Sequence, residues 1–173
     1  MEDFIFKVCI FGDGGVGKST LIKRYLSGTF DEAMKITIGV DFHIKKVEIE
    51  NDRITLQIWD FAGEDRFRML LPSYMRGARG GIFMYDVTRY TSLKNLEKWL
   101  EVVRSIDKNI PLIMVGSKID LQEFRSVEST YAMELAEQFE FLGYAECSSK
   151  TGQYVEGVFD LITQLILENQ KQE

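Results

Sequence analysis

Cysteine is scarce, with two among 173 residues, Cys9 and Cys147, each inside or beside an apolar run. So few thiols exclude a disulfide framework, and nothing near them has metal-ligand spacing. Two reduced, packed thiols in a reducing compartment are therefore expected. Histidine is scarcer still: His43 stands alone, in a strand-like stretch between Asp41 and Lys45, an exposed cross-strand residue rather than a catalytic base. No apolar run reaches the ~18 residues that a membrane span requires. The opening Met1-Glu2-Asp3-Phe4 lacks the basic region and apolar core of a signal peptide, so a cytoplasmic location is expected. Positive charge is also short: 21 Lys and Arg against 27 Asp and Glu leave a net charge of −6. That balance excludes a broad footprint for nucleic acid, and the pairs Lys23-Arg24 and Lys45-Lys46 read as solvated faces.

What is present is an ordinary globular composition, 45% hydrophobic and 28% charged, sized for one domain over residues 1–173. Short apolar runs at 4–11, 40–50, 53–61, 80–87, 110–117 and 141–147 predict six strands. Helical spacing appears at 18–28, 92–106, 127–139 and 154–170. Asn51-Asp52 between two strand runs predicts a hairpin turn. The alternation predicts an α/β, three-layer fold: a six-stranded, mostly parallel sheet with one antiparallel edge strand and helices on both faces. Ligands bind such sheets at the carboxyl ends of the strands. Every glycine-rich or acidic cluster of note falls at such an end.

The densest is "GDGGVGKST" at 12–20, between a strand and a helix. Gly12-x-x-x-x-Gly17-Lys18-Ser19 in that context is a P-loop. Backbone N–H groups from Gly14, Gly15, Val16, Gly17, Lys18, Ser19 and Thr20 would wrap phosphates at a helix N-terminus. Lys18 would reach the terminal phosphates, and the Ser19 hydroxyl would ligate Mg²⁺. "IWDFAGE" at 58–64 ends another strand; Asp60 would hold a magnesium-bound water, and Gly63 would offer its N–H to a γ-phosphate. "GSKID" at 116–120 selects the base. Asp120 would accept two hydrogen bonds from the guanine edge, where adenine presents an acceptor, and Lys118 would lie along the ring. "CSSK" at 147–150 would bring backbone donors of Ser148, Ser149 and Lys150 to the guanine oxygen.

With these residues the chain resembles a Ras-superfamily small GTPase, and within it a Rab-like protein, over residues 5 to 168. The P-loop, "TIGVDF" at 37–42, "LQIWDFAGEDRFR" at 56–68, "SYMRGARG" at 73–80 and "MYDVT" at 84–88 all fall in the family's order. The resemblance implies a P-loop NTPase fold (a G domain), GTP/GDP with Mg²⁺ as ligands, and two switch loops that γ-phosphate orders. It makes Thr37 the second protein ligand of Mg²⁺ and Phe30 a stacking partner of guanine. It further implies an exchange factor, an activating protein, and effectors met through Phe42, Trp59 and Tyr74, with a possible place in membrane trafficking and a monomeric working state. Lys18, Thr37, Gly63 and Glu64 are the candidate catalytic residues.

Three departures from the family pattern matter. Ser117 replaces an Asn that ties base to P-loop, which should weaken nucleotide affinity but keep the guanine preference. Ser149 replaces Ala, and its backbone donor survives. Glu64 replaces the Gln that orients the attacking water; a carboxylate cannot donate as an amide does, and its charge opposes the γ-phosphate. Either hydrolysis is slow, or Glu64 orients water by accepting its protons while another group stabilises the transferring phosphoryl. No arginine occurs at 30–39, so an arginine finger would come from an activating protein, worth ~10³–10⁵ in rate. The competing reading is a GTP-dependent binding module with negligible turnover; a P-loop kinase would need a lid for which the loops leave little room. "ILENQKQE" carries no cysteine for prenylation, so membrane attachment stays open.

Overall fold

The computed structural model describes residues 1–32 and 39–173. Its sheet contains β1 (Asp3–Phe11), β2 (Val40–Ile49), β3 (Asp52–Phe61), β4 (Gly80–Asp86), β5 (Leu112–Ser117) and β6 (Gly143–Glu146), in the order β2-β3-β1-β4-β5-β6. Among the described residues only the β2–β3 pair is antiparallel, and it places β2 at one edge, as the hairpin signal requires. β4 is buried along its whole length, which its unbroken run Ile82-Phe83-Met84-Tyr85 anticipates for a strand covered on both faces. On one face α1 (Lys18–Ser27) and α6 (Val155–Gln172) pack over Val8, Ile10, Leu56, Ile58 and Ile82. On the other, α3 (Leu71–Met75), α4 (Leu96–Ile106), with Trp99 pointing inward, and α5 (Ser129–Gln138) cover Phe11, Phe83 and Met114. A single-turn α2 (Asp65–Arg68) precedes α3. Among the described residues no helix is long and apolar enough to cross a membrane.

Three details differ from the sequence expectation. The hairpin turns at Glu50-Asn51, one residue early: Glu50 takes a left-handed φ of 58°, and Ile49 pairs with Asp52. Asp52 is drawn into β3 because its carboxylate accepts the Glu2 N–H at 3.0 Å and pairs with Lys171 at 3.0 Å. The helix expected from residue 92 begins at Leu96, after a 3₁₀ turn at Tyr90–Leu93. There the Ser92 hydroxyl donates to the Arg89 carbonyl at 2.7 Å and accepts from the Asp86 N–H, local bonds that compete with a regular helix. His43 sits opposite Ile58, half-buried rather than exposed, 3.3 Å from the Asp41 carboxylate.

Both cysteines are free and buried, and burial pushes each thiol up to about 12, which leaves them unreactive near neutrality.

Candidate functional site

At the carboxyl ends of β1, β3, β5 and β6 a cavity of about 450 Å³ opens. Gly14, Gly15, Val16, Gly17, Lys18, Ser19 and Thr20 line its floor. Gly63 and Glu64 stand at one end, and Phe30, Ser117, Lys118, Asp120, Ser149 and Lys150 at the other.

The floor is built by glycine for two different reasons. Gly12 has a φ of 141°, and a side chain there would collide with the Met84 carbonyl of the neighbouring strand. Gly63 needs no unusual φ, but a Cβ on it would overlap the backbone of Gly12, Asp13 and Gly14. The loop after β3 therefore touches the phosphate loop directly, through backbone alone.

Lys18 is the buried cation of the floor, 6% exposed, donating to the Gly12 and Asp13 carbonyls at 2.8 Å each. Burial lowers its pKa to about 8; the Asp60 and Asp13 carboxylates oppose that shift and the Arg89 guanidinium adds to it. A cation held so far out of water gains from an anion brought beside it. The Ser19 hydroxyl donates to the Asp60 carboxylate, which lies beneath the cavity and does not line it.

At the far end Ser117 donates its hydroxyl towards the Val16 carbonyl at 2.7 Å and the Tyr85 carbonyl at 2.9 Å. The shorter side chain thus still fastens β5 to the phosphate loop. Lys118 has a left-handed φ of 67°, donates to the Gly15 carbonyl at 3.0 Å and pairs with Asp86 at 2.9 Å. Asp120 is exposed to the cavity, and its Oδ1 accepts from the Ser148 hydroxyl at 2.8 Å. Ser148 differs from expectation. It is fully buried behind the cavity, and its N–H donates to the Gln153 carbonyl at 3.0 Å, so its hydroxyl rather than its amide serves the site. Thr37 lies outside the described residues.

Glu64, at the N-terminus of α2, accepts from Arg66 Nε at 2.7 Å. Its charge is turned onto a neighbour in its own chain.

Sequence reasoning missed Asp13, Asp86, Arg89 and Leu121. Asp13 accepts from Trp99 Nε1 at 2.9 Å and from the Asn95 amide, which anchors the phosphate loop to α4. Its partners lie more than 80 positions away, so no local pattern reveals them. Leu121 lines the cavity directly after Asp120 and could have been inferred from that adjacency.

Behind both base-side loops lies a polar network. Arg125 grips Glu146 with two bonds of 2.9 Å, and Ser129 and Tyr144 donate to the same carboxylate. Burial raises the Glu146 pKa, but these bonds outweigh it and hold the carboxyl below its ordinary range. Arg125→Met should cost about 3 kcal/mol, because it strands a largely buried carboxylate. A depressed carboxyl stabilises the fold above its unfolded pKa and stops doing so as pH falls through the folded value. The gap in melting temperature between the parent and Arg125→Met should therefore narrow in acid; a gap independent of pH would count against the network.

The family model for the Ras family matches residues 7–168. The chain belongs to the Ras family. Two relatives place it on the Rab-like side: the Ras-related protein Rab-1 of Theileria parva is 44% identical over 169 residues, covering 95% of this chain and 75% of that protein. Ras-related protein Rab-1 of Theileria annulata is 43% identical over the same span and with the same coverage. As a Rab-like member of the Ras family, the protein is a GTP-binding small GTPase that converts GTP to GDP and phosphate.

Proposed function

We propose that this Rab-like GTPase is a slow switch of membrane trafficking, in which the cavity holds GTP or GDP and the β2–β3 hairpin reports which one. The observation that carries this reading is convergence: the Lys18 loop, Gly63 and Asp120 come from three separate stretches of sequence yet line one cavity. In the proposed complex Lys18 leaves the Gly12 and Asp13 carbonyls for the β- and γ-phosphates, and Phe30 and Lys118 enclose the base. Asp120 accepts from the two guanine N–H groups.

Ser19 and Asp60 are hard oxygen donors held together under the phosphate loop, a set that suits Mg²⁺. Ser19 would ligate it directly, Asp60 through water, and Thr37 would supply the second protein oxygen. When bound, the ion offsets the charge of the β- and γ-phosphates. Gly63 then presents its N–H to the γ-phosphate from a position that no side chain could share.

Effector contact is assigned to the far face of the hairpin. β2 and β3 pair without a bulge, so Phe42 and Ile44 point away from the α1–α6 layer, 42% and 55% exposed. Phe42 packs 4.9 Å from Trp59, and Trp59 packs 5.7 Å from Tyr74 on α3. Lys7 caps the Trp59 ring at 4.6 Å, and Trp59 Nε1 is buried without a hydrogen-bond partner among the described residues. An unpartnered buried donor costs about 1–3 kcal/mol, so this packing is poised to rearrange when α3 moves. Tryptophan emission should change when a non-hydrolysable GTP analogue replaces GDP, and Trp59→Phe should remove most of the change. A signal that survives Trp59→Phe would separate the patch from the nucleotide.

The direct test of the whole reading is to denature the purified protein and separate what it releases. Guanine nucleotide, with GTP a substantial fraction, is expected; adenine nucleotide, or none after purification in Mg²⁺ and GDP, would overturn it.

A further inference from the structure

The phosphate loop is fastened through its carbonyls, one after another. Those of Gly12 and Asp13 accept from Lys18, that of Gly14 from Arg89 Nη2 at 2.7 Å, that of Gly15 from Lys118 and that of Val16 from Ser117. In a trans peptide the C=O of one residue and the N–H of the next point in opposite directions. Arg89 is not among the residues that line the cavity, so it draws the Gly14 carbonyl away from it and turns the Gly15 N–H towards it. Gly14-Gly15 is where this matters most, because two adjacent glycines have no side chains to restrict their rotation. Ser117 has a single proton to divide between Val16 and Tyr85, so its tie is weaker than the others.

Arg89 itself is set firmly. Its N–H donates to the Asp86 carbonyl at 3.0 Å, and its own carbonyl accepts from both the N–H and the hydroxyl of Ser92. Asp86 in turn holds Lys118 through one carboxylate oxygen and Thr88 through the other. One turn at the end of β4 thus supports two of the cations that grip the loop. The guanidinium also lies along Gly15, where a side-chain Cβ would come within 3.6 Å of Nη1.

We propose that Arg89 is a positioning residue for the phosphate loop: it holds the Gly14–Gly15 peptide with its N–H towards the β-phosphate and so slows GDP release. This rests on the guanine-nucleotide reading of the cavity. Arg89→Met should speed release of fluorescent GDP about five- to tenfold, the scale of one ordinary net hydrogen bond, since the guanidinium is exposed. Arg89→Lys should recover part of the loss. GMP, which has no β-phosphate to meet that N–H, should compete equally well for parent and variant. If Arg89→Met releases GDP at the parent rate, or weakens GMP as much as GDP, the assignment fails. An Asp120→Ala control separates the two levels: retention of GDP by that protein would sink the nucleotide reading, whereas its loss beside an unchanged Arg89→Met would sink only the role of Arg89.

Discussion

Asp120→Ala should bind GDP about 10²–10⁴-fold more weakly than the parent, the loss of two hydrogen bonds to a charged acceptor at roughly 1.5–3 kcal/mol each. Among the described residues the carboxylate accepts from the Ser148 hydroxyl on Oδ1, and it lines the cavity. A sharper form of the test exchanges the acceptor instead of deleting it. Asp120→Asn keeps the shape but offers one acceptor and one donor. Guanine, with donors at N1 and N2, then faces a mismatch, while xanthine, which has an oxygen in place of the guanine amine, finds a match. Competition between GDP and its xanthine analogue should reverse order in Asp120→Asn. If both variants keep the parent preference for guanine, the base is read elsewhere and the cavity has been assigned the wrong way round. Lys18→Ala should weaken binding comparably but without changing base preference, since the partners proposed for it in the complex are phosphates.

Glu64→Gln should accelerate single-turnover GTP hydrolysis by about tenfold or more, with the ~10²–10⁴ that a well-placed proton-transfer group can supply as its ceiling. The carboxylate lines the cavity beside Gly63, yet it is bonded to Arg66 and cannot offer the attacking water an N–H. That ion pair is exposed, with Glu64 39% and Arg66 67% accessible, so it contributes only ~0–1 kcal/mol and does not lock the group away. The slow turnover proposed above is therefore attributed to the chemistry of the carboxylate rather than to its tether. Arg66→Ala alone should leave the rate within about twofold, on the same small pair energy. Should Glu64→Gln hydrolyse no faster than the parent, the handicap is absent, and Glu64 orients water by accepting its protons.

The framework of the site was readable because each of its motifs carries its own local chemistry. Gly12 and Gly17 announce a strand-to-helix turn, Asp60 and Gly63 an acidic strand end, and Lys118 and Asp120 the loop proposed to read the base. The apolar phase change at Lys45-Lys46 requires that either Phe42 and Ile44 or Val47 and Ile49 face away from the core unless a bulge intervenes, and the unbroken register puts Phe42 and Ile44 outward. What escaped was whatever depends on distant partners. Asp13 looks like a loop acid until Trp99 reaches it, and Arg89 like a solvated charge until it meets Gly14, 75 positions earlier. The turn at Glu50-Asn51 was misplaced by one residue for the same reason: Asp52 has a turn-forming side chain, but Glu2 and Lys171 claim it for the strand. Ser148 was given an amide role, and only the return of the chain at Gln153 shows that amide already in use.

The cluster around Asp52 has a practical side. Glu2 and Lys171 meet at one carboxylate, Asp3 pairs with Arg53 at 2.8 Å, and Lys171 also approaches Glu50 at 3.7 Å. First and last elements are thus stitched together at the pole where β1 starts, with the whole length of that strand between them and the cavity mouth. A bead, dye or surface linker fixed to either end would leave that mouth facing bulk solvent, and both attachment schemes should report the same nucleotide kinetics.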